Sequence, residues 1–108
     1  WAAWDQPALG ALQAIEAAGR EGEGIVIVGI DANPQALDAI AAGGNFEASV
    51  AQDFTGIGST VAEQIELYLS AGELPQKTVY VPTTLVTAAN VADFMPCEYL
   101  ILFTSLVD

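Results

Sequence analysis

The chain has 108 residues and is 53% hydrophobic, which suits one small domain with a core and rules out a disordered acidic tail. Fourteen acidic residues against only Arg20 and Lys77 leave a net charge of −12, a field that repels phosphate backbones and anionic lipid headgroups, so nucleic acid is not an expected partner. No apolar run approaches the roughly 20 residues that span a bilayer, so no direct membrane insertion is expected, and the single Cys97 makes no internal disulfide.

Strand and helix signals alternate along the chain, a rhythm that argues for a parallel α/β layer. Trp1 to Trp4 reads as a strand end. Asp5 then caps a helix in which Leu9, Leu12 and Ile15 recur at helical spacing, with Pro7 tolerated in the first turn and Gly19 at the close. Arg20 to Gly24 is a turn. Ile25 to Ile30 is continuously apolar and β-branched, the pattern of a strand covered on both faces. Asn33 followed by Pro34 is an N-cap and first-turn pair, so a helix starts at once, carries Leu37 and Ile40 inward and stops at Gly43-Gly44. Phe46 to Gln52 alternates as a short strand, with Phe46, Ala48 and Val50 on one face and Glu47, Ser49 and Ala51 on the other.

A longer helix is expected over 55–71, with Ile57, Val61, Ile65 and Tyr68 forming an apolar stripe that needs a surface to cover it. Thr78 to Val86 is rich in β-formers but contains Pro82, which is awkward inside a ladder and marks a strand that changes sheet or crosses a domain boundary. Asn90 caps a last short helix toward Phe94. From Cys97 an apolar tail, residues 97–108, fits no preceding rhythm. A start at Trp1, with no basic segment leading into an apolar one, implies a removed signal or a part of a longer chain.

The absence of histidine excludes imidazole general-base catalysis, a Ser-His-Asp triad and a Cys-His pair within this chain, and no enzymatic role is expected. No Cys/His spacing for zinc and no Asp-rich calcium loop is present, so neither metal nor cofactor is expected. Gly56-Ile57-Gly58-Ser59-Thr60 lacks the third glycine of a dinucleotide fingerprint and the Gly-Lys-Ser/Thr of a P-loop, and reads as a tight helix start.

Polar recognition remains. Ligands of open parallel sheets sit outside the carboxyl ends of the strands, where Trp4-Asp5, Asp31 and Gln52 fall in this chain. Carboxylates accept paired hydrogen bonds from adjacent hydroxyls, a primary amide donates and accepts, and an indole lies on the apolar face of a sugar ring. Asp31 is the leading candidate because Asn33 already fills the cap. Against this, Trp4 also suits a core, Asp5 a helix cap, and Gln52 the satisfaction of backbone groups.

Ala2-Ala3-Trp4-Asp5-Gln6-Pro7-Ala8-Leu9-Gly10-Ala11-Leu12-Gln13-Ala14-Ile15, Val28-Gly29-Ile30-Asp31-Ala32-Asn33-Pro34, Ala48-Ser49-Val50-Ala51-Gln52 and Val81-Pro82-Thr83-Thr84-Leu85-Val86-Thr87 together resemble the C-terminal part of a type I periplasmic sugar-binding protein of the ribose-binding kind. The resemblance implies an incomplete Rossmann-like lobe over residues 1–96, with hinge crossings near 52 and 82 and the 55–71 helix packed on an absent N-terminal lobe. It also implies a periplasmic or cell-surface protein that binds a small sugar or polyol and delivers it to the membrane subunits of an ABC importer. Asp31 matches the strand-end aspartate that bonds sugar hydroxyls, and Gln52 the glutamine beside the hinge. Trp4 stands where a ribose binder has asparagine, which implies a different sugar or a polyol. The sensor domain of a sugar-responsive transcription regulator shares these lobes and is the alternative.

Overall fold

A computed structural model describes residues 1–73 and 76–95, so the expectations for Cys97 and the 97–108 tail lie outside the described residues. The described residues divide into two compact units, one formed by residues 1–51 and 85–95, the other by residues 52–73 and 76–84.

In the first unit, helix α1 (Asp5–Ala17) buries Ala8 and lays Leu9, Leu12 and Ile15 against the core, as their spacing predicts. It ends where Gly19 turns left-handed at φ 64° and the Arg20 N–H reaches back to the Ile15 carbonyl at 3.1 Å. Arg20 then pairs with Glu23 on the surface at 2.6 Å, a contact that raises the arginine pKa further. The segment before α1 is not a strand, but the Ala2 N–H bonds the Val28 carbonyl at 3.0 Å and so runs beside β1 (Ile27–Ile30).

β1 is shorter than its apolar run because Asn45 ties down the entry: its Nδ2 donates to the Ile25 carbonyl at 2.7 Å, and its own carbonyl accepts from Ile27. Helix α2 (Pro34–Ala42) follows, with the Asn33 side chain capping the Ala36 N–H at 2.9 Å as expected. Strand β2 (Phe46–Gln52) runs parallel to β1, and β3 (Thr83–Thr87) completes the sheet in the order β1-β2-β3. β3 starts directly after Pro82, where a residue without an N–H is tolerated.

The core gathers Ala8, Ile27, Ala36, Leu37, Ile40, Phe46, Val86 and Val91. Coverage is one-sided. Val28, Ile30, Ala48 and Val50 point to the other face, where with Trp1, Ala2 and Leu85 they line a shallow apolar cavity of about 280 Å³. The expectation of a strand covered on both faces is therefore met on one face among the described residues.

The pairing of β1 with β2 contains one irregularity that changes which side chains share a face. Ile27 is opposite Phe46, but Val28 is opposite Ala48, so Glu47 is an extra residue on β2. Alternation restarts after it. Phe46 lies in the core, and Ser49, opposite Gly29, also points to the helix side and is fully buried. Simple alternation had put these two residues on opposite faces. The expected last short helix is a 3₁₀ turn over Val91–Phe94 with Asn90 at its cap position, where the Asn90 carbonyl accepts from the Asp93 N–H at 3.1 Å. The Asn90 side chain does not cap it but accepts from the Thr87 N–H at 2.8 Å and donates to the Leu85 carbonyl at 3.0 Å.

In the second unit, helix α3 (Phe54–Ala71) is capped by Asp53, whose Oδ1 accepts from the Gly56 N–H at 2.8 Å. The Gly-Ile-Gly stretch is thus a helix start, as its sequence implies, and a Cβ on Gly56 would overlap the Asp53 carboxylate. No residue of α3 is fully buried. Ile57, Val61, Ile65 and Tyr68 line an open groove of about 670 Å³ with Val79 and Tyr80. None of the helices in the described residues is long and apolar enough to cross a membrane.

Candidate functional site

Parallel pairing puts the carboxyl ends of β1 and β2 at one end of the sheet, and Asp31 is the first residue beyond β1. Its backbone is unusual. Asp31 has φ 112° and Ala32 φ 53°, two successive non-glycine residues in territory that favours glycine. Each such residue costs roughly 1–3 kcal/mol and persists only where its surroundings hold it.

The holding contacts are three consecutive N–H groups, each with its own acceptor. Asp31 donates to the Val50 carbonyl at 2.8 Å, Ala32 to Ser49 Oγ at 3.0 Å, and Asn33 to Asp5 Oδ2 at 2.8 Å. Ser49 Oγ in turn donates to Asp5 Oδ1 at 2.7 Å. One buried carboxylate therefore joins the start of α1, the middle of β2 and the entry to α2. Gly29 makes room for it: a Cβ there would overlap Asp5 Oδ1 and stand 3.2 Å from Phe46 Cζ.

The expected site residues thus have different settings. Asp31 sits in the strained turn. Asp5 is completely buried with both carboxylate oxygens engaged, and the cap position of α1 belongs to Trp4, which makes no side-chain cap bond. Asp5 is therefore not the cap of its own helix; it receives the N–H of the residue that caps α2. Trp4 is 51% exposed, outside the core, next to Asp5. Gln52 is the last residue of β2 and the first of the second unit, half-buried and lining the groove there. Ser49 was missed. Its only sequence signal is a hydroxyl between Ala48 and Val50, where a buried polar group demands a partner.

A parallel α/β sheet with a strained, carboxylate-bearing turn at the end of its first strand is the kind of edge that α/β proteins use for small polar ligands. This chain belongs to the periplasmic binding protein family: residues 1–74 match the periplasmic binding protein domain. It is 47% identical over 90 residues to a protein of Rhizobium meliloti assigned provisionally to rhizopine binding, covering 83% of this chain and 28% of that one. Among solved structures it is similar to an ABC transporter solute-binding protein from Agrobacterium vitis with bound allitol, at 36% identity and a TM-score of 0.75, covering 87% of this chain and 32% of that one. A Caulobacter myo-inositol-binding protein with bound myo-inositol matches at 32% identity and a TM-score of 0.68, over 84% of this chain and 30% of its own. The chain therefore spans about a third or less of the length of these relatives. All three of these relatives are named as binding proteins, for rhizopine, for a solute with allitol bound, and for myo-inositol.

Proposed function

We propose that the protein carrying this chain binds a small sugar or polyol outside the cytoplasmic membrane, as the solute-binding component of an ABC importer. The observation that carries this reading is Asp31, set in a strained turn at the carboxyl end of a parallel strand. Its carboxylate accepts hydrogen bonds from neighbouring ligand hydroxyls, Gln52 adds an amide that both donates and accepts, and Trp4 offers an exposed indole to the ring's C–H face. The bound polyols of the Agrobacterium and Caulobacter relatives support this ligand class. Asp5, with both oxygens engaged inside the fold, is not proposed as a direct contact.

An N-terminal lobe closes over the ligand and covers the apolar groove of the second unit, with crossings between lobes near Gln52 and Pro82. The exposed Val61 and Ile65 that line that groove suit a surface meant to be covered. Calorimetric titration of the full-length product of the reading frame with allitol, myo-inositol and ribose tests the assignment. Saturable binding of at least one polyol is expected, and no heat with any of a broad panel of sugars and polyols would overturn it.

A further inference from the structure

Three successive backbone N–H groups hold the Asp31–Asn33 turn, and two of their acceptors, Ser49 Oγ and Asp5 Oδ2, are side chains with no other part in the proposed site. Both residues are completely buried, so neither meets a ligand directly. A turn whose φ angles are 112° and 53° at non-glycine residues relaxes toward negative φ unless its N–H groups are anchored. From these contacts we infer that Asp5 and Ser49 are positioning residues: they hold the left-handed Asp31–Ala32 backbone in readiness for the ligand. Pre-organisation of this kind raises affinity by removing an ordering step from the binding event. The inference rests on the proposed polyol reading for its functional consequence, while the conformational part stands on the turn alone.

Ser49 is the sharper lever. Its hydroxyl accepts from Ala32 and donates to Asp5, so Ser49→Ala breaks both links and leaves the Asp5–Asn33 bond in place. Ser49→Thr keeps the hydroxyl and serves as the conservative rescue, and Asp5→Asn keeps an acceptor for Asn33 where Asp5→Ala keeps none.

The test uses the full-length product of the reading frame and two readouts. In ¹H–¹⁵N spectra, the amide–α-proton couplings of Asp31 and Ala32 report φ, and amide exchange reports the anchoring of Ala32 and Asn33. For Ser49→Ala, both couplings are expected to move toward negative φ and Ala32 exchange to accelerate, while the Ile27 amide, bonded to Asn45, keeps its protection. Polyol affinity is expected to fall about five- to tenfold, the weight of roughly one hydrogen bond, with recovery in Ser49→Thr. Unchanged couplings and exchange at residues 31–33 in a folded Ser49→Ala protein overturn the inference. Unchanged affinity in a wild type that binds overturns it as well. A wild type that binds no polyol defeats the ligand reading instead, and the couplings still decide the positioning role.

Discussion

Gly29→Ala is predicted to be damaging for a reason no strand propensity contains. The added Cβ overlaps Asp5 Oδ1, stands 3.3 Å from Asp5 Cα and 3.2 Å from Phe46 Cζ, so the carboxylate must leave its place between Ser49 and Asn33. A hydrogen bond to a charged group is worth about 1.5–3 kcal/mol, and two are at stake. Replacing glycine returns about 0.5–1 kcal/mol through the unfolded chain, so a net loss of about 2–5 kcal/mol is expected. With a urea m-value near 2 kcal/mol/M, the midpoint drops by roughly 1–2.5 M. Equilibrium unfolding of the chain by circular dichroism in dilute solution measures this. Gly10→Ala is the matched control: that glycine lies inside α1 with nothing within 4 Å of an added Cβ, and about 1 kcal/mol of stabilisation is expected. If Gly29→Ala proves as stable as wild type, the carboxylate link does not bear on the fold as described.

In α3, Gly58→Ala should raise stability by up to about 1 kcal/mol, whereas Gly56→Ala should gain nothing or lose, because its Cβ displaces the Asp53 cap; thermal melts of the two variants separate these outcomes. Ile65→Lys should leave folding stability within about 0.5 kcal/mol, since no residue of α3 is fully buried, yet reduce self-association of the isolated chain in sedimentation velocity. The isolated chain should bind polyol far more weakly than the full-length product, because small-ligand pockets enclose about 70–90% of their ligand and one wall leaves it wet; parallel titrations compare the two. In a Trp1→Phe background, polyol should change the emission of Trp4, whose indole is half exposed, and a flat titration with intact binding would remove Trp4 from the site.

Much of the turn that carries Asp31 was legible because it is written in local chemistry. The β-branched run, the Asn33 cap and Pro34 at the helix start act on neighbouring residues, so their order along the chain is enough to place them. The links that hold the turn were not legible for the opposite reason. Asp5 and Ser49 meet across 44 positions, and their meeting depends on the extra residue at Glu47, which reverses the faces that alternation assigns. Asp5 illustrates the same limit: an acid at a helix start suggests a cap, but its carboxylate serves the next helix, which no local rule can foresee. Asn90 does start the expected short helix, but its side chain folds back on the end of β3, where two backbone groups need partners, and that use has no local signal.

The central claim is that Asp31 bonds a polyol, and calorimetry on the full-length product with wild type and Asp31→Ala tests it most directly. With whichever polyol binds, the substitution should weaken affinity by about 1.5–3 kcal/mol, or roughly 10- to 150-fold, as for a lost hydrogen bond to a charged acceptor. Equal affinities of the two proteins for that polyol would contradict the assignment of the strand-end aspartate to the ligand.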